Sequence, residues 1–270
     1  MVIDSEPPDV IESCLDSLDG LRADDVKVSV LKQNPGESLM QVRARAAAGV
    51  HTEFVVFMYA RYRVTRGWTR AMLQAHKSGS AVVGGSVIIS EDRRNARFTG
   101  DRSIYLWEYA PAAPPVTARK SAGEQGRSFP GGNTSYRTEI LRQYDIGRYA
   151  NEMDFHRALA EAGFNLHQSP EAATIYLPPP IRAYLSELYR VSREYSASRG
   201  GSGFQRMVRA GAAVALLPSY LLIKNFARVW RKPHYRWWLP GSLPWFVLFA
   251  LVQTGGTVAG YLGRKTPLLT

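Results

Sequence analysis

The sequence predicts an α/β protein, a mixed β-sheet flanked by helices, with apolar helices appended at its C-terminal end. Three observations predict it. Short apolar runs alternate with segments whose apolar residues recur at helical spacing, the order that builds a parallel or mixed sheet covered on both faces. Phe54-Val55-Val56-Phe57-Met58 contains no polar residue, as in a parallel strand buried on both sides. Leu239 to Gly263 carries no charged residue over roughly the length that crosses a bilayer. At 270 residues the chain has room for one substantial core and an appendage.

Taken in order, Val2-Ile3 ahead of Asp4-Ser5-Glu6-Pro7-Pro8-Asp9 reads as the end of a strand entering a turn. Val10 to Leu21 has helical periodicity, with Asp9 as its cap. Val26 to Leu31 is a second strand, and Ser38 to Val50, rich in Ala and Arg, is a helix. After the buried strand at 54–58, Thr69 to Ser78 is helical. Ala81 to Ile89 is a strand led in by Gly79 and broken by Gly84-Gly85. Gly100 to Phe129 reads as a long loop holding Tyr105-Leu106-Trp107-Glu108-Tyr109, three prolines and a polar Gly-rich stretch. Loops of that length are usually functional or disordered. Its aromatics either face a ligand or pack a helix on the sheet.

Phe129-Pro130-Gly131-Gly132-Asn133-Thr134-Ser135-Tyr136-Arg137 follows. Paired glycines allow a tight turn and close approach of a ligand, and Asn offers both donor and acceptor. Asn151-Glu152-Met153-Asp154-Phe155-His156 then opens an acidic helix, which Gly163 stops. Once that helix has begun, Asp154 points about 200° away from Glu152, so both cannot serve one site. His156 lies one turn past Glu152, within reach of it or as a partly buried helix residue.

Net charge is +11. The excess clusters in Arg182, Arg190, Arg193, Arg199, Arg206, Arg209, Lys224, Arg228, Arg231, Lys232 and Arg236, beside the apolar C-terminal segments. That placement favours an anionic membrane surface over nucleic acid, for which no zinc-finger or basic-zipper pattern is present. Cys14 is the lone cysteine, which excludes an internal disulfide and a cysteine metal cluster and reads as a small core residue. The remaining histidines show no metal-ligand spacing. Met1-Val2-Ile3-Asp4-Ser5-Glu6 has no signal-peptide character, so the globular part is expected on the cytoplasmic face.

Leu177-Pro178-Pro179-Pro180 ends the regular structure, and Ile181 to Arg199 is an amphipathic basic helix. Arg199-Gly200-Gly201-Ser202-Gly203 is a hinge. Ala210 to Ile223, fourteen residues including Pro218, would rise about 21 Å, short of a hydrocarbon core of roughly 30 Å. It is expected to dip into or lie along the interface, leaving Leu239 to Gly263 as the segment able to cross. The expected organisation is therefore a globular domain at 1–180, a basic helix and hinge at 181–203, and membrane-associated helices at 204–270.

The order of Gly131-Gly132-Asn133, Tyr136-Arg137 and Asn151-Glu152 resembles the acceptor half of family-2 glycosyltransferases of the GT-A fold. The resemblance implies a GT-A-like nucleotide-diphospho-sugar transferase domain, with an inverting transfer from a nucleotide-sugar donor. The acceptor implied is lipid-linked or a cell-envelope glycan, as in the family's membrane-associated subset. It implies that Glu152 is the catalytic base, that Gly131, Gly132 and Asn133 contact the acceptor, and that Asp4 and Arg43 hold the nucleotide. Trp107, in the aromatic cluster, is a further candidate for the acceptor, and Tyr59 and Arg61 are candidates for the nucleotide and diphosphate. Two departures stand out. The chain begins where the family's second strand ends, so a first strand is expected to be missing. Where the family places Asp-x-Asp for a divalent cation, this chain has Tyr59-Ala60-Arg61, which cannot supply oxygen ligands to a hard cation. No cofactor and no bound metal is therefore expected. Arg61, Arg63 and Arg66 either stabilise a departing diphosphate in its place or are solvated loop residues. A non-catalytic relative, keeping the surface as a binding or scaffolding module, is the alternative.

Overall fold

The computed structural model describes residues 2–4, 6–19, 26–34, 36–90, 99–110, 113, 132–149, 151–199 and 201–263. In chain order the elements are β1 (Val2–Asp4), α1 (Pro8–Asp19), β2 (Val30–Lys32), α2 (Leu39–Ala48), β3 (Phe54–Tyr59), β4 (Tyr62–Val64), α3 (Trp68–Lys77), β5 (Val82–Ile89) and α4 (Thr99–Tyr109). Then come β6 (Asn133–Arg137), α5 (Thr138–Gln143), α6 (Glu152–Glu161), β7 (Leu166–Tyr176), α7 (Ile181–Ser198), α8 (Gly203–Trp230) and α9 (Leu239–Leu262). They form two compact units: residues 1–90 with 111–177, and residues 91–110 with 178–270.

The first unit is a mixed α/β layer structure. Its seven strands run in the order β2-β1-β3-β6-β5-β7-β4. β1 pairs in parallel with β2 on one side and β3 on the other. β6 runs antiparallel to both β3 and β5, and β7 is parallel to β5. The carboxyl ends of β1, β3, β5 and β7 therefore share one edge, which the start of β6 joins through the pairing of Met58 with Asn133.

Strand alternation assigns the two faces of the sheet. Val55 and Phe57 of β3 belong to a core with Val42, Ala46, Ile140, Leu141, Phe155 and Leu159, so α2, α5 and α6 cover that face. Phe54 and Met58 point the other way. Phe54 stacks on His76 of α3 with centroids 4.3 Å apart, and Met58 meets Cys14 of α1. Both faces of β3 are thus covered, as its unbroken apolar run predicts. Ser38 caps α2 through a capping box with Gln41. The expected break at Gly84-Gly85 is a bulge between Gly85 and Val87 inside a continuous β5.

The second unit is helical. α4, expected as loop or as a helix on the sheet, packs instead within this unit. Trp107 meets Phe246 and Phe249 edge-on at 5.4 and 5.6 Å, and the Tyr105 and Tyr235 hydroxyls lie 3.2 Å apart. α7 and α9 run parallel in close contact: a Cβ at Gly256 would fall 2.4 Å from the Tyr189 carbonyl oxygen, and one at Gly260 2.2 Å from that of Arg193. Small residues four apart are what allow helix backbones to approach this closely. α8 corrects the fourteen-residue expectation, since it is one helix of 28 residues that runs through Pro218. A capping box of Ser202 and Gln205 starts it seven residues early, and Arg and Lys, being good helix formers, continue it at both ends. At 1.5 Å per residue it spans about 42 Å, so its length no longer prevents a crossing. Among the described residues two helical segments, Gly203–Trp230 and Pro233–Leu262, are long and apolar enough to cross a membrane by length and composition.

Candidate functional site

In open α/β sheets, ligands bind outside the carboxyl ends of the parallel strands. In the first unit that edge carries Tyr59, the last residue of β3, and the end of β1 at Asp4. It also carries Glu152, the first residue of α6. Asn151 caps α6 by accepting from the Asp154 N–H at 3.0 Å, which fixes where the helix starts and hence where Glu152 points.

The centre of the cluster is an ion pair. Arg43, fully buried on α2, binds the Glu152 carboxylate, whose side chain keeps 19% of its surface in solvent. The Arg43 guanidinium lies 5.2 Å from the Phe57 ring centroid and 5.7 Å from that of Tyr59. The Tyr59 hydroxyl reaches Glu152 Oε1 at 3.4 Å. Burial works against the charge on Arg43. Glu152, with the phenols of Tyr59 and Tyr136, outweighs that burial and raises its pKa above the ordinary arginine value. Beneath them the Tyr136 hydroxyl lies 2.8 Å from His156 Nε2. Burial, aided by the nearby positive charge of Arg43, lowers His156 to about 3, so it stays neutral. His156 thus partners Tyr136, the buried reading rather than the reach toward Glu152. Asp154 accepts from Asn151 Nδ2 at 2.9 Å and pairs with Arg157, away from the cluster.

The other expected site residues are placed differently. Arg61 donates Nε and Nη2 to the two carboxylate oxygens of Glu6 at 2.7 and 2.5 Å, a partner that nothing in the local sequence announces. Gly132 lies against β3 and β4: a Cβ there would fall 2.2 Å from Tyr59 Cδ2 and 2.4 Å from Tyr62 Cε2. The close approach it permits is to two stacked tyrosines of this chain. Asn133 is fully buried and its amide is spent internally. Nδ2 donates to the carbonyls of Ser86 and Ala172, each at 3.0 Å, and Oδ1 accepts from Trp68 Nε1 at 2.9 Å. It ties β5, β6, β7 and α3 together. Trp107 belongs to the aromatic core of the second unit. Gly131 and the side chain of Asp4 lie outside the described residues.

The positions where a metal-binding Asp-x-Asp is implied do not fit a cation. Ala60 is buried, Tyr59 turns its hydroxyl to Glu152, and Arg61 is held by Glu6. Among the described residues no group of three His, Cys, Asp or Glu side chains is close enough to hold a metal.

No protein family and no curated protein matches the sequence. Solved structures similar in chain path include the following three. A mannosyltransferase from Pyrobaculum calidifontis, in complex with GDP-Man and Mn2+, is 16% identical over 94% of this chain and 85% of its own, with a TM-score of 0.47. Staphylococcus aureus TarS, residues 1–349 in complex with UDP-GlcNAc, is 13% identical over 93% of this chain and 89% of its own, with a TM-score of 0.44. A mycobacterial protein is 14% identical over 73% of this chain and 71% of its own, with a TM-score of 0.41. These are likenesses of chain path at low identity.

Proposed function

We propose that this chain is a membrane-tethered glycosyltransferase that moves a sugar from a nucleotide-sugar donor to a lipid-linked or cell-envelope acceptor, with inversion. The observation that carries the reading is the Glu152 carboxylate, oriented by Arg43 and Tyr59 at the carboxyl edge of the parallel strands. Glu152 takes the proton of the acceptor hydroxyl as that oxygen bonds to the anomeric carbon. The bond from that carbon to the diphosphate oxygen breaks on the opposite face. Arg43, having no access to solvent, acts as a positioning residue that holds the base rather than as a contact to the nucleotide. Asp4 and Tyr59 remain the candidates for the nucleotide, and Arg61, exchanging Glu6 for phosphate, the candidate for the diphosphate. Gly132 and Asn133 serve by shaping the edge from within. The apolar helices hold the domain at the cytoplasmic face of an anionic membrane.

The second reading, a non-catalytic relative, is favoured by one observation, the prior engagement of Arg61 by Glu6. The two separate on the full chain in lipid vesicles, offered a panel of UDP- and GDP-sugars with and without chelator. Release of nucleoside diphosphate that survives chelator and falls about 10²- to 10⁴-fold in Glu152→Gln supports the enzyme. Failure of every nucleotide-sugar to bind by calorimetry leaves the non-catalytic reading. Turnover unchanged in Glu152→Gln removes Glu152 from the role.

A further inference from the structure

Within the helical unit, α7, α8 and α9 line an open cavity of about 420 Å³ that the proposed transfer does not use. Its lining changes character along its length. Arg199, at the end of α7, and Arg209, in the second turn of α8, stand at one end with the hydroxyls of Tyr195 and Tyr261. Leu216, Leu217 and Tyr220 of α8 line the other, and no Asp or Glu is among the lining residues. The two arginines are brought together by the hinge. Ser202 and Gln205 fix the start of α8, and Arg209 Nη1 then donates to the Arg199 carbonyl at 2.8 Å, capping the end of α7. The Arg199 guanidinium lies 4.5 Å from the Tyr195 ring centroid and bonds the Tyr195 hydroxyl. The apolar end of the cavity is open, Leu216 and Tyr220 each being more than half in solvent, and α8 also exposes Val214 and Ile223.

A pocket with paired guanidinium groups and phenols at one end and two leucines beside the Tyr220 ring at the other matches a molecule with an anionic head and a hydrocarbon tail. We propose that this cavity is a binding site for the phosphate of a membrane lipid. Arg199 and Arg209 hold the phosphate, Tyr195 and Tyr261 donate to its oxygens, and the first part of the tail lies along Leu216, Leu217 and Tyr220. The bilayer is the source, so the inference rests on the membrane placement proposed above. The lipid then pins the hinge between α7 and α8, because its phosphate bridges the last residue of one helix and the second turn of the other.

The test uses the full chain in nanodiscs of phosphatidylcholine with increasing phosphatidylglycerol, and native mass spectrometry of phosphatidylglycerol retained on the released protein. Arg199→Gln should weaken retention about tenfold or more, the effect of losing a charge-assisted hydrogen bond to the phosphate. It leaves the carbonyl clasp intact, since only the Arg199 backbone takes part in that bond. Arg209→Gln should weaken retention at least as much, and Arg209→Lys should restore most of it. Arg231→Gln, an equal charge loss on the same unit outside the cavity, should leave retention within about twofold. Retention in Arg199→Gln equal to that of Arg231→Gln would overturn the site. Displacement of the lipid by millimolar inorganic phosphate would overturn the lipid as occupant. Failure of the chain to enter phosphatidylcholine nanodiscs at all would defeat the membrane placement itself, a result distinct from entry without phosphatidylglycerol preference, which would defeat this inference alone.

Discussion

Removing the Glu152 carboxylate should unsettle the fold before it is read as lost chemistry. Arg43 has no solvent exposure, and Glu152 is 19% exposed. Deleting one partner of a buried pair leaves an uncompensated buried charge and costs about 3–5 kcal/mol. Partial exposure lets water enter where the carboxylate stood, so Glu152→Ala belongs at the lower end, about 3 kcal/mol. Glu152→Gln keeps an oxygen for the guanidinium and loses only the charge assistance of the bond, roughly 1 kcal/mol. Combining Glu152→Ala with Arg43→Met removes the stranded charge, so the double variant should be more stable than Glu152→Ala alone. The assay is urea unfolding of the full chain in mild detergent, followed by circular dichroism, with activity compared at equal folded fraction. A Glu152→Ala cost below about 0.5 kcal/mol, or a double variant costing the sum of its singles, would refute the claim that the pair is buried and coupled.

Acid should destabilise the first unit through its histidines. His156 is lowered to about 3 and His76 to about 4, each chiefly by burial, against an ordinary value of 6.5. Between those values the unfolded chain binds protons that the folded chain refuses, so stability is full above pH 6.5. It is lost as pH falls, by up to roughly 1.4 kcal/mol per unit for each histidine. His156→Phe should flatten the slope of a denaturation series between pH 6.5 and 4, and an unchanged slope would contradict the assignment. Asn133→Ala strands the Trp68 indole N–H and removes the amide donor from the Ser86 and Ala172 carbonyls, so it should lower stability by about 2–4 kcal/mol in urea unfolding. An effect confined to acceptor KM would return Asn133 to the acceptor site. Gly260→Leu, which drives a side chain into the α7 backbone, should cost at least about 1–3 kcal/mol in the helical unit while leaving the unfolding of the α/β unit unchanged.

What the sequence determined by itself was what local pattern can encode. The apolar run at 54–58 fixed a strand covered on both faces, and its two residue sets do face Cys14 and His76 on one side and Phe155 and Leu159 on the other. The helical periodicities near α1, α2, α3 and α6, and the break between α7 and α8, followed from spacing and from glycine. Glu152 at a helix start was legible because an Asn cap and an acidic first turn are local signals. Other features were not local. β7, with Pro170 in it, lacks strand alternation and is a strand because β5 and β4 pair with it. α8 outran its apolar stretch because helix continuation depends on caps and backbone bonds, which charged residues do not interrupt. Above all, tertiary structure decided who meets whom. Arg43 and Glu152 are 109 positions apart in sequence, and Glu6 and Arg61 are 55 apart. Gly132 and Asn133 look like ligand contacts in the sequence, yet the fold spends them on Tyr59, Tyr62 and three neighbouring elements. The same amide or missing side chain suits a ligand and a buried backbone equally well, and only the packing around it selects between them.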